Sequence, residues 1–259
     1  MPIQVENISK VFAVGTANEK AALQDINFEL GDGDFAVVIG SNGAGKSTLL
    51  NMLAGEIISD TGKISVDGQE IQNWPVYKRA KQISRVFQDP MQGTAPSLSV
   101  EENLAVAFQR GKRRSLKSGL KRRDREYFRE KISVLGLGLE NRFSEKVESL
   151  SGGQRQSITL IMASLLAPKL MLLDEHTAAL DPRAAELILN LTIDVVGGGG
   201  ITTLMVTHNM EHALKCGNRL FMMHAGHIIL DVKGQEKENL KLSDLIDRFH
   251  VTDDKMLLS

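Results

Sequence analysis

The chain has 259 residues, of which 42% are hydrophobic and 24% charged, and its formal net charge is −1. That balance is ordinary for a soluble globular protein, and the near-zero charge excludes a protein built mainly to coat nucleic acid. A single cysteine, Cys216, excludes an internal disulfide or a cysteine-based zinc site, and no apolar run, "SITLIMASLLAP" (157–168) included, reaches the ~20 residues that span a bilayer.

The start, "MPIQVENISK", is polar and lacks a leader pattern. "DFAVVIG" (34–40) reads as a buried strand. A glycine-rich turn and a helix, "KSTLLNMLAG" (46–55), follow it. "KISVDG" (63–68) and "QISRVF" (82–87) read as further strands. The character then changes: residues 99–150 read mostly as helix, with Ser99 and Glu102 forming a capping-box pattern before "NLAVAF". Within this stretch, residues 110–131 carry eleven Lys/Arg against three Asp/Glu, a local balance of +8. The plain reading is a solvated helix face, and the sharper one is a surface beside anionic lipid headgroups.

Alternation resumes after Leu150. Ser151 precedes the apolar-periodic helix "QRQSITLIMASLLA", which Pro168 closes. "LMLLD" (170–174) is a strand. Asp181 and Pro182 read as N-cap and first helical position of "RAAELILNLTIDVV", and Gly197–Gly200 as a flexible stop. "TTLMVTH" (202–208) is a strand and "NMEHALKC" a short helix. "RLFMM" and "HIILD" form a hairpin around Ala225 and Gly226. The pattern predicts an α/β fold with a mainly parallel sheet, interrupted by a helical insertion.

"GSNGAGKST" (40–48) fits G-x-x-x-x-G-K-[ST], after a strand and opening a helix as that motif requires. Gly40, Gly43 and Gly45 let backbone N–H groups turn inward around an anion, and the helix N-terminus adds partial positive charge. Lys46 can reach β- and γ-phosphates, and the Ser47 hydroxyl can ligate Mg²⁺. Ser41, Asn42, Ala44 and Thr48 complete the loop. The strand "LMLLD" ends on adjacent carboxylates, Asp174 and Glu175. Acids are costly to bury unpaired. The plain reading of such a pair is a helix N-cap or a surface turn; beside a phosphate loop, Asp174 suits the carboxylate near the metal and Glu175 the activation of the attacking water.

"LSGGQ" (150–154) lies upstream of "KLMLLDE". With the phosphate loop, Gln88 in "VFQDP", "ALD" (179–181) and His208 in "VTHNM", it completes an ordered set over nearly the whole chain. The set resembles the ATP-binding subunits of ABC transporters. The resemblance implies a P-loop NTPase (RecA-like) core at 1–90 and 155–259, an N-terminal antiparallel β portion, and a helical subdomain inserted at 91–154 of one cassette domain, 1–259. It also implies a head-to-tail homodimer. ATP would lie between the loop 40–48 of one copy and Ser151, Gly152, Gly153 and Gln154 of the other, with Asp181 at the interface. Gln88 would sense Mg²⁺ and the attacking water, Glu175 would orient or deprotonate that water, and His208 would hold the γ-phosphate. Mg²⁺ would be held by Ser47, Gln88 and Asp174, the last through water. Phe12 would stack on adenine; the other reading of Phe12 is a core position in the first strand.

His176 departs from the family, which usually has proline after the catalytic glutamate. The expectation is that it replaces a turn-stiffening residue and points away from phosphate. "DEHTAALDP", "GLGLENR" (136–142), "MVTHNMEHAL" and "GNRLFMMHAGHIILD" resemble a narrower group. These are bacterial importers with a separate permease and an extracytoplasmic solute-binding lipoprotein, some associated with aromatic amino acids. The resemblance therefore implies an importer motor at the cytoplasmic face of the membrane. The alternatives weighed against it are a force-transmitting or lipid-exporting complex, and a soluble ATPase acting on nucleic acid or ribosomes. The last lacks its usual coiled coils, zinc cysteines or tandem ATP domains, and no nucleic-acid partner is expected.

Overall fold

The structure, a computed structural model, describes residues 3–112 and 121–257. The strands and helices run, in order, β1 (Ile3–Phe12), β2 (Lys20–Leu30), β3 (Phe35–Gly40), α1 (Lys46–Ala54), β4 (Thr61–Val66), β5 (Gln69–Glu70), α2 (Val76–Arg79) and β6 (Ile83–Val86). Next come α3 (Val100–Phe108), α4 (Arg122–Ser133), α5 (Gly152–Ser164), β7 (Leu170–Asp174), α6 (Pro182–Gly199) and β8 (Thr203–Val206). The chain closes with α7 (Met210–Lys215), β9 (Arg219–His224), β10 (His227–Lys233), α8 (Gln235–Glu238) and α9 (Leu242–Leu257). Two compact units result, residues 1–79 with 202–259 and residues 80–201.

The first unit holds an antiparallel sheet of order β2-β1-β4-β5. Its inward residues alternate with exposed ones, so Leu23, Ile26, Phe28 and Leu30 of β2 are buried, the pattern of a sheet with one covered face. The same unit holds β3 between β8 and β9, parallel to both, with β10 antiparallel to β9. All six residues of β3 are buried, which is why it reads as an unbroken apolar run. Arg79 is 1% exposed, and no acidic partner is seen for it among the described residues. It donates instead to the carbonyls of Met52, Leu53, Gln72 and Trp74, satisfying the C-terminal end of α1.

In the second unit β6 runs parallel to β7, with Ile83 opposite Leu170 and Val86 opposite Leu173. The capping box expected at Ser99 is formed: Ser99 Oγ accepts from Glu102 N, and Glu102 Oε2 accepts from Ser99 N at 2.8 Å. Phe128 and Ile132 of α4 are buried, and Phe128 meets Phe108 edge to face at 5.5 Å. The opposite face of α4 is the basic one. Arg122, Arg123, Arg125, Arg129 and Lys131 are exposed, with Arg122 paired to Glu126 and Arg125 to Glu101. Arg113 and Arg114 of the basic stretch lie outside the described residues.

One local expectation fails. Gly197–Gly199 are not a flexible stop but the last turn of α6. The helix ends at Gly200, whose left-handed φ of 56° lets its N–H return to Gly197 O and Val196 O. Glycine costs a helix about 1 kcal/mol per residue against alanine, and the buried face of α6, Ile188, Leu189, Thr192 and Val196, holds the helix regardless.

Candidate nucleotide site

In the first unit the chain leaves β3 at Gly40 and turns into α1 through the loop 40–48. Backbone approaches here are too close for side chains. A Cβ on Gly40 would sit 2.2 Å from Met223 O, and one on Gly45 2.4 Å from Ala22 O. Gly45 also has a φ of 102°, which favours glycine. It is the N-cap of α1, with no capping side chain and no acid in the first turn. The first N–H groups of the helix are therefore left for an anion. Lys46 is 6% exposed. It donates to Gly40 O at 2.7 Å and to Ser41 O at 2.9 Å, so its ammonium lies folded across the loop. Asn42, Gly43 and Ser47 are exposed, Ser41 and Thr48 half-buried, and Ala44 buried.

Two further predicted residues belong to this unit. Phe12 closes β1, is 37% exposed, and lies opposite Lys20 of β2, so it is a surface residue and not part of the core. His208 follows β8, the strand next to β3. Thr207 N donates to Val38 O at 3.1 Å, and His208 is exposed at the same carboxyl edge from which the phosphate loop departs. The hairpin turn between β9 and β10 abuts the loop, since Gly226 N donates to Ala44 O at 3.1 Å.

In the second unit the carboxyl ends of β6 and β7 carry Gln88 and the Asp174–Glu175 pair. Gln88 is exposed, and the carbonyl before it, Phe87 O, is held by Gln156 Nε2 at 3.0 Å. Asp174 Oδ2 accepts from Arg85 Nη2 at 2.6 Å. Glu175 has a φ of 43°, a left-handed conformation that is costly for a side chain larger than glycine. A turn holds it there, with Ala178 N donating to Glu175 O at 2.9 Å. His176 is 1% exposed and contacts Thr192 Oγ1 at 2.9 Å, so its ring is turned into the fold.

The "LSGGQ" segment opens α5. Ser151 Oγ accepts from Gln154 N at 3.3 Å, and Gln154 Oε1 accepts from Ser151 N at 3.2 Å. Ser151 is exposed, while Gly152 and Gly153 are half-buried, the latter 3.3 Å (measured from an added Cβ) from Ala184. Asp181 N-caps α6 through Ala184 N at 3.0 Å.

Sequence reasoning did not single out Arg85, Thr192 or Arg79. Arg85 stands two residues before Phe87 in "SRVFQ", and only the register of β6 on β7 brings it to Asp174.

The family model described as ABC transporter matches residues 23–178. A tyrosine transport ATP-binding protein of Clostridioides difficile (strain R20291) is 47% identical over 249 residues, covering 95% of this chain and 98% of that one. An energy-coupling factor transporter ATP-binding protein of Clostridium perfringens (strain 13 / Type A) is 33% identical, covering 90% and 80%. Among solved structures, an ABC transporter cassette in its ADP conformation superposes with a TM-score of 0.79 at 28% identity, covering 97% of this chain and 99% of that one. A dimeric cassette in a post-hydrolysis state bound to ADP and Pi gives 0.74 at 28% identity, covering 89% and 98%. A phosphate loop opening α1, the Asp174–Glu175 strand end and an α5 that starts on "LSGGQ" are thus found in a chain that belongs to the ABC transporter family and is one of its ATP-hydrolysing cassettes.

Proposed function

We propose that the chain is the motor subunit of a bacterial importer of a small solute, with an amino acid such as tyrosine as the leading candidate. The observation that carries this reading is the 47% identity, over 95% of the chain, to a protein named for tyrosine transport. Among the described residues no helix is long and apolar enough to cross a membrane, so the reading requires a separate permease. It also takes a solute-binding protein outside the membrane, a site of action at the cytoplasmic face, and a homodimer of cassettes. The dimeric form of a 28% identical cassette supports the last point.

In this reading loop 40–48 binds the phosphates of ATP and Phe12 stacks on adenine. The reading assigns Mg²⁺ to Ser47, Gln88 and Asp174, each of which brings an oxygen donor of the kind a hard cation takes alongside phosphate and water. Mg²⁺ bound there would neutralise charge on the transferred phosphoryl group. Glu175 orients or deprotonates water, Gln88 helps to place it, and His208 holds the γ-phosphate oxygens. Ser151, Gly152, Gly153 and Gln154 act on the nucleotide of the partner copy, their helix end supplying a second anion site. Asp181 steadies the interface.

The test is purification of the Glu175→Gln variant from membranes of the native host with Mg·ATP, followed by mass spectrometry. A polytopic permease and a solute-binding lipoprotein that binds tyrosine are expected. Recovery with lipid-handling or ribosomal partners would overturn the importer reading and leave the ATPase standing.

A further inference from the structure

Glu175 sits in a left-handed conformation, φ 43°, that is uncommon for a residue with a side chain. Three of the described contacts bear on its backbone. Asp174 before it is held by Arg85, its own carbonyl closes a turn to Ala178, and His176 after it is anchored in α6. The third contact is the least expected. A histidine that is 1% exposed meets a threonine that is 0% exposed, sixteen residues on and in another element.

The hydrogen-bond direction follows from the neighbours. Thr192 Oγ1 donates its only proton to Ile188 O, four residues back in α6, at 2.8 Å. Towards His176 it can therefore only accept, so Nε2 of the imidazole carries the proton and donates at 2.9 Å. The bond to α6 orients the ring and requires a proton on Nε2. The bond joins the turn 175–181 to the third turn of α6, the helix whose N-cap is Asp181.

We infer that His176 and Thr192 are positioning residues for hydrolysis, a buried tether that holds the Glu175 carboxylate where water must be activated. This rests on the assignment of Glu175 as the hydrolytic group. Both residues are buried and act through the backbone of Glu175. Small displacements of a catalytic group are expensive: about 1 Å can cost on the order of 100-fold in rate. A residue that needs a strained backbone is where such an anchor matters most.

The test removes the bond while keeping the volume. Thr192→Val is nearly isosteric, Thr192→Ser keeps the hydroxyl, and Thr192→Val with His176→Phe removes both polar partners, so no buried donor is left unpaired. Steady-state kcat and KM for Mg·ATP are measured with the thermal midpoint and with binding of a fluorescent ATP analogue in EDTA. The tether predicts that kcat falls at least about 10-fold in Thr192→Val and in the double variant. KM and analogue binding stay within about twofold, and Thr192→Ser retains most of kcat. Wild-type kcat in the folded double variant overturns the inference, as does an equal loss in Thr192→Ser and Thr192→Val. If Glu175→Gln itself keeps wild-type turnover, the assignment of Glu175 fails instead.

Discussion

Arg85 donates from Nη2 to Oδ2 of Asp174 at 2.6 Å, across the parallel pair β6 and β7. The two side chains are 12% and 17% exposed, and the guanidinium lies 4.7 Å over the ring of Phe87. A carboxylate held this way cannot rotate freely, and its second oxygen stays in a defined direction. Arg85→Gln is expected to lower stability by about 1–3 kcal/mol, since it strips a charge-assisted hydrogen bond from a partly buried acid. It is also expected to reduce Mg·ATP turnover with little change in Mg²⁺-free nucleotide binding. Urea unfolding and steady-state kinetics check both.

The phosphate loop gives a sharper steric prediction. Gly45→Ala places a methyl 2.4 Å from Ala22 O at a φ of 102°. The left-handed strain alone costs on the order of 1–3 kcal/mol, and the clash is with backbone that cannot swing aside. ATP binding is expected to weaken at least about 10-fold. Gly68→Ala, in open space at a φ of 72°, carries the same kind of strain without the clash and should leave binding unchanged. Equilibrium binding of a fluorescent nucleotide to the two variants compares them directly.

What was legible in the sequence and what was not divides along range. The phosphate loop, the capping box at Ser99 and the N-cap at Asp181 are local patterns a few residues long, and spacing alone exposes them. Arg85–Asp174 and His176–Thr192 are not of this kind. The first depends on the register of two strands 89 residues apart in sequence, the second on which face α6 turns inward. Gly197–Gly199 misled for a related reason: local propensity said stop, while the buried face of α6 carried the helix on. Arg79 was invisible because its partners are carbonyls, which every residue has.

Cys216 provides a pH test. It is 0% exposed, and burial pushes its thiol up to about 11. At pH 8 the native thiolate fraction should be roughly 100-fold below that of an unperturbed thiol, so a thiol reagent should label the chain slowly until urea unfolds it. The sign for stability follows. The unfolded chain loses this proton first, so between about pH 9 and 11 the group lowers stability as pH rises. Cys216→Ala should flatten that alkaline decline, measured as unfolding midpoints across the range.

The most direct measurement of the account as a whole uses Glu175→Gln. The variant should bind ATP as tightly as the parent, lose turnover by at least about 100-fold, and pass from monomer to dimer mass in light scattering when Mg·ATP is added. ADP should not produce the dimer. A variant that binds ATP but hydrolyses it at the parent rate would contradict the assignment of Glu175. One that stays monomeric with ATP bound would contradict the proposed head-to-tail sandwich in which Ser151 of one copy meets the nucleotide of the other.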